Sequence, residues 1–168
     1  MGSEMCIRDR AISPSEQLYW FSSMVFTGEN TTYEDRMAIP DGERIYDAGF
    51  YGSGSSISTT VFVPSGGNYE LSTRGFFGYE RGIFQLKVNG AFVGKAFDMY
   101  APKCQDHFAT VRHDRMEMKE GWNEIKYELV SSNDSAKETN GAFVHLRLTP
   151  VEEALSTEST ASISNPRR

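Results

Sequence analysis

The chain has 168 residues, a formal net charge of −6, and 11 Phe, 8 Tyr and 2 Trp. That length suits one domain with a real core, and basic residues scattered singly among acids argue against a nucleic-acid partner, which needs clustered Lys and Arg. No apolar run approaches the roughly 18–20 residues of a membrane-spanning helix, and two cysteines, Cys6 and Cys104, encode neither a disulfide framework nor a thiolate metal site.

The opening MGSEMCIRDR resembles the conceptual translation of sequencing-adapter DNA at the ends of environmental assemblies. Residues 1–13 are therefore set aside as artefact or disordered chain, and the rest is read as a metagenomic fragment of something longer. The charges of that opening cancel (Glu4 and Asp9 against Arg8 and Arg10), so the acidic balance persists without it, and Cys104 becomes a lone thiol. Next, QLYWFSSMVF is expected to be an opening strand, with the tail of a preceding domain as the alternative. The triplets at Asn30 and Asn133 fit glycosylation acceptors of a secreted chain, but such triplets arise too often by chance to decide anything.

From Arg44 the punctuation is regular. RIYDAGFYGSGSS passes from a short apolar run into a Gly/Ser turn, and SISTTVFVP is β-branched until Pro64 stops it. Tyr69, Leu71 and Thr73 then alternate with Glu70, Ser72 and Arg74; Phe84, Leu86 and Val88 alternate with Gln85, Lys87 and Asn89. A period of two marks strands with one wet face. Asn89-Gly90 suits a type I′ hairpin turn, AFVGKAFDMY is the expected return strand, and Gly94 lets it bend. HFATVRHDRMEM follows. Asn123, Ile125, Tyr127 and Leu129 are in phase, as are Ala142, Val144, Leu146 and Leu148 before Pro150. Seven or eight short strands and no three-turn helix over 44–150 predict an all-β antiparallel β-sandwich. The domain is expected over 14–151, with 152–168 a Ser/Thr-rich tail or linker.

The order of features from Gly67 to Leu148 resembles the galactose-binding-like jelly rolls found as accessory modules beside carbohydrate-active enzymes. The phrase G-x-Y-x-L is met by Gly67, Tyr69 and Leu71. The phrase G-x-x-Q-L-x-x-(D/N)-G-x-x-x-G is met by Gly82, Gln85, Leu86, Asn89, Gly90 and Gly94. Phe97, Asp98 and Tyr100 follow, then Gly121, Asn123, Ile125 and Tyr127, then Gly141, Leu146 and Leu148. Many such modules carry an Asp two residues before the final (I/L)-x-L, where this chain has Val144. The resemblance implies a carbohydrate-binding module that holds a larger glycan-active or cell-surface protein near glycan, outside the cell or in the periplasm.

Sugar surfaces need flat aromatic faces and a few fixed polar groups. The best cluster is TRGFFGYERG, with Phe76, Phe77 and Tyr79 framed by glycines and flanked by Arg74 and Arg81. Arg74, Phe77, Tyr79, Arg81, Tyr100 and Asn133 form the expected carbohydrate site, and Asn140 is a further candidate. The alternative is that Phe76 or Phe77 plugs the core while Tyr79 starts the next strand. Asp98 reads as a turn cap before it reads as a ligand contact. Trp122 is out of phase with Asn123 and Ile125, so it is either a stacking or docking platform or a residue covered by a neighbour. His107 and His113, six apart, lack zinc-ligand spacing, and His145 reads as an outward strand residue. No paired-carboxylate, nucleophile-elbow, phosphate-loop or dinucleotide pattern is present. The chain is therefore expected to be no enzyme, with glycan and a covalently adjoining domain as partners and no cofactor; nothing indicates a structural calcium ion. A structural module that packs on a neighbouring domain through Trp122 and LYWFSSMVF is the alternative.

Overall fold

A computed structural model describes residues 16–37 and 44–152. The adapter-like segment and residues 153–168 of the expected tail lie outside the described residues. The strands are β1 (Gln17–Trp20), β2 (Thr27–Glu29), β3 (Thr31–Met37), β4 (Arg44–Phe50), β5 (Ser56–Val63), β6 (Gly67–Phe77), β7 (Gly82–Val88), β8 (Ala91–Phe92), β9 (Phe97–Asp98), β10 (His107–Met118), β11 (Gly121–Ser132) and β12 (Asn140–Pro150). One 3-10 turn, Phe21–Ser23, is the helical piece among the described residues.

These strands form two antiparallel sheets. The first runs β10-β6-β12-β4-β3, with β1 on the half of β12 that β4 leaves free; the second runs β2-β5-β11-β7-β8, with β9 also on β7. The opening segment is strand over its first four residues only; Phe21–Ser23 turn it, and β2 begins just beyond it. β1 joins the first sheet and β2 the second, while Phe21 between them is buried and stacks on Phe26.

Most of the inward rows are those the alternation predicted. Phe84, Leu86, Val88, Ile125 and Tyr127 are all fully buried, facing Leu71, Tyr69, Phe143 and Phe50 from the other sheet. Each such side chain removed from water contributes about 1.5–3 kcal/mol. Asn123, on the same row, is buried because its amide is satisfied: it donates to the carbonyls of Lys119 and Gly121 and accepts from Lys119 N–H and Asn89 Nδ2. It clamps the β10–β11 turn to the β7–β8 hairpin, whose Asn89 and Gly90 take φ of 49° and 83°, as a type I′ turn requires.

Three expectations change. The return strand after Gly90 is broken into β8 and β9, because Gly94 takes φ +68° and lies against the backbone of Asp114. Gln85 points outward yet is buried, since Val93 and Gly94 fold over it and its amide donates to both their carbonyls. In β12 the register shifts between Phe143 and His145, adding Val144 as an extra residue. Phe143 therefore joins Leu146 and Leu148 in the main core, while Ala142 and Val144 form a separate cluster with Ile45. All are buried, but they are not on one face.

A polar chain crosses the interior. Tyr127 Oη of the second sheet lies 2.7 Å from Thr73 Oγ1 of the first, which lies 2.8 Å from His113 Nε2. Burial lowers the His113 pKa to about 4 from 6.5. Folding therefore depends on a neutral imidazole: its contribution is full above pH 6.5 and is lost as pH falls toward 4, by about 3 kcal/mol in all. Urea unfolding at several pH values should show stability rising across that window, and His113→Gln should flatten the rise; an unchanged slope in the variant would exclude His113 as its source. Gly94→Ala should destabilise by about 1–2 kcal/mol, because a Cβ there meets both the left-handed penalty and the Asp114 amide at 3.1 Å. An unaltered melting midpoint would contradict this account of the break between β8 and β9.

Candidate functional site

The aromatic cluster at 74–81 divides at the end of β6. Arg74 through Phe77 continue the strand, so their side chains alternate between faces. Phe77 points inward, only 8% exposed, and stacks on His107 at 5.6 Å. Phe76 points outward against Phe108 at 5.0 Å, and the Arg74 guanidinium sits over the Phe108 ring at 5.1 Å. Arg81, expected on the surface, is 6% exposed: its Nη1 donates to both carboxylate oxygens of Asp47, at 3.2 and 3.3 Å. A guanidinium buried this way needs its carboxylate, since an unpaired charge there is costly. The pair ties the β6–β7 turn to β4.

The turn Gly78–Arg81 is stitched on both sides. Gly78 N–H donates to Met99 O and Gly78 O accepts from Ala101 N–H, while Tyr79 O accepts from Lys137 N–H and Glu80 O from Asn140 N–H, all between 2.8 and 3.1 Å. Tyr79, in the turn itself, is half-buried, and Lys137 Nζ lies 5.6 Å from its ring centroid. A hydrogen bond with Glu80 raises the Tyr79 phenol above its ordinary pKa. Three loops thus meet at one end of the sandwich, at 78–81, 98–106 and 133–140.

Asp98 stands between two of them. Its Oδ1 accepts from Tyr100 N–H and its Oδ2 from Asn133 Nδ2, both at 2.8 Å. Asn133 Oδ1 in turn accepts from Ser135 N–H at 3.0 Å. The carboxylate is therefore a turn cap that also fixes Asn133 beside Tyr100. Asn140 is drawn to the same end, where its amide donates to Glu138 Oε2 at 3.1 Å.

Sequence reasoning passed over Tyr51, which is 64% exposed just past β4. Its hydroxyl lies 3.3 Å from Thr32 Oγ1, and a Cβ built on Gly49 would meet Thr32 Oγ1, Asn140 Oδ1 and Tyr51 Oη at 3.0–3.4 Å. Three polar oxygens converge over bare glycine backbone. The signal was present in GFYGSGSS: an aromatic in a Gly/Ser turn, the same criterion that selected Tyr79.

Among the described residues no group of three or more His, Cys, Asp or Glu could hold a metal ion. Val144, where many of the jelly rolls have Asp, is fully buried with Ile45 and Ala142, so the residues present do not fit an ion there. Trp122 is 63% exposed and meets Phe62 edge-to-face at 5.5 Å on the outer face of the second sheet. Trp20, from the opening segment, projects from the first sheet instead and packs edge-on against His145 at 5.0 Å. His145 points outward as expected and is covered there.

No family model matches the chain, and no curated protein is similar to it. Solved structures are. A Paenibacillus xanthan lyase superposes with a TM-score of 0.74 at 16% identity, over 84% of this chain but 14% of the lyase. A family 35 carbohydrate-binding module from Clostridium thermocellum gives 0.56 at 19% identity, over 82% of this chain and 99% of the module. The family 6 module from Cellvibrio mixtus lichenase 5A, in complex with cellotriose, gives 0.53 at 15% identity over 81% and 98%. This chain therefore shares the two-sheet antiparallel β-sandwich fold, a jelly roll, of these carbohydrate-binding modules.

Proposed function

We propose that the chain is a non-catalytic glycan-binding module of a larger glycan-active or surface protein, working outside the cell or in the periplasm. The observation that carries this reading is the convergence of Tyr79, Tyr100 and Asn133 at one end of a fold whose near full-length neighbours are carbohydrate-binding modules. Tyr79 and Tyr100 offer ring faces to C–H-rich sugar surfaces. Asn133, held by Asp98, and the polar atoms over Gly49 read hydroxyls. Phe77 and Arg81 support from below, the first as a core plug and the second through Asp47; Arg74 lies on the sheet face outside this set. Asp98 and Asp47 are engaged in holding structure, the first by Tyr100 and Asn133 and the second by Arg81.

Glycan-array screening followed by calorimetry tests the reading. Tyr79→Ala and Tyr100→Ala should each weaken binding about five- to thirtyfold, or 1–2 kcal/mol, with the melting midpoint preserved. Phe77→Ala should instead lower stability by about 3–5 kcal/mol, as a buried aromatic does. Wild-type protein that binds no glycan, or tyrosine variants that bind like wild type, would remove the loop-end site.

A second reading has its own observation. Phe62 and Trp122 expose 50% and 63% of their surface as a cross-strand aromatic pair, which suits docking of a covalently adjoining domain. Trp122→Ser should then weaken association with that domain and leave glycan binding intact. The reverse outcome would make the pair part of a sugar platform.

A further inference from the structure

The loop end carries a charge pattern that ring stacking and amide contacts leave unexplained. Arg81 is matched to Asp47. The three loops that meet there, 78–81, 98–106 and 133–140, then hold the carboxylates of Glu80, Asp98, Asp106, Asp134 and Glu138 against the lysines Lys103 and Lys137. Asp98 serves as a turn cap. Among the described residues, none of Glu80, Asp106 and Glu138 has a cation within ion-pair distance. All three act on one group, the Tyr79 phenol, whose pKa is raised first by its hydrogen bond with Glu80 and further by the charges of Asp106 and Glu138.

One cation already occupies that ring. Lys137 Nζ lies 5.6 Å from the Tyr79 centroid, and the backbone bond from Lys137 N–H to Tyr79 O anchors the lysine beside it. The ammonium is held by the π face, since among the described residues Lys137 makes no ion pair. Lys137 is exposed and its stem is flexible, so this weak surface contact is one that a ligand can displace. A separate observation comes from Arg81. Its Nε is buried without a hydrogen-bond partner, in a side chain 7% exposed. It faces the bare backbone of Gly78, where an added Cβ would meet Asp106 Oδ1 at 3.0 Å and Arg81 Nε at 3.8 Å. An N–H lacking an acceptor thus lies close to a carboxylate lacking a donor.

We propose that the loop end selects cationic amino sugars, whose ammonium replaces that of Lys137 on the Tyr79 ring among Glu80, Asp106 and Glu138. An aromatic face within a ring of carboxylates is the chemistry that holds an ammonium ion. Asp106, on its exposed loop, turns to the ligand ammonium and uncovers Arg81 Nε, which donates to the hydroxyl on the neighbouring sugar carbon. Such a vicinal amine and hydroxyl match the free acceptor and the free donor. An N-acetylated sugar has no charge with which to displace Lys137. The proposal rests on the reading above that this end binds glycan, and adds the charge class of the ligand.

Calorimetric titration of the full chain with a glucosamine trisaccharide and with its N-acetylated counterpart tests this, in slightly acidic buffer at about 0.15 M salt to screen distant charges. The amine form should bind about fivefold or more tighter. Lys137→Gln should tighten the amine form about three- to fivefold, while Lys103→Gln, which removes the same charge from a neighbouring loop, stays within about twofold of wild type. Asp106→Asn/Glu138→Gln should weaken it about tenfold. Melting midpoints report folding, and Asp106→Asn alone carries the comparison if the double variant melts early. Equal affinity for the two sugars, no gain from Lys137→Gln beyond that of Lys103→Gln, wild-type affinity in a folded acid variant, or equal competition by trilysine would overturn the proposal. Should wild type bind an uncharged glycan through Tyr79 and Tyr100 without preferring the amine, the loop-end site stands and this inference falls. Should wild type bind no glycan at all, both fall.

Discussion

The hydroxyl of Tyr127 reaching Thr73 is the contact on which the arrangement of this molecule depends. It joins the second sheet to the first through the interior, among aromatic side chains, and His113 completes the chain. Around it the rings of Phe143, Phe21 and Phe97 lie 4.7–6.4 Å from that of Tyr127. Apolar packing alone is tolerant of small sliding, whereas a buried hydrogen-bonded chain is satisfied at one relative position of the layers. Burial holds the Tyr127 phenol well above its usual pKa and the His113 imidazole well below, so both enter the core neutral.

With the layers held, departures from regular pairing decide which side chains meet. The irregularity at His113 and Asp114 gives the first sheet two outward arginines on one strand and seats Gly94 beneath it. The irregularity at Val144 turns Phe143 into the core and leaves Ala142 and Val144 for a separate apolar patch. Each inserts one residue, and each reverses the meaning of the alternation beyond it. The loop end is built differently, by backbone bonds on both sides of Gly78–Arg81 and by the buried Arg81–Asp47 pair.

Legibility followed the same division. Alternation at Phe84–Leu86–Val88 and at Ile125–Tyr127–Leu129 was readable because those strands keep period two through their inward runs. The Asn89-Gly90 turn was readable because only a few residues tolerate its dihedrals. Asp98 was readable as a cap for a similarly local reason. Arg81 was not: a charged residue beside a loop looks solvated until Asp47, thirty-four positions earlier, is brought against it. Phe77 and Phe76 share a strand end, and only their ring contacts, stacked on His107 and edge-on to Phe108 respectively, show which side each occupies. Tyr51 was missed because its polar neighbours Thr32 and Asn140 are far from it in the chain.

The amino-acid order by itself determined the all-β character, most of the inward rows and the position of the tight turn, since these follow from the two-residue period of an extended chain and from local dihedral preference. It also determined that aromatic and amide side chains would fall in the segments joining β6 to β7 and β11 to β12. Tertiary structure decided which of them share a site, which arginine is locked to a carboxylate, and that Arg112 and Arg147 face one another across Ser72. Those outcomes depend on strand order and on single-residue bulges. Both are settled by packing between segments distant in the chain, which no local pattern records.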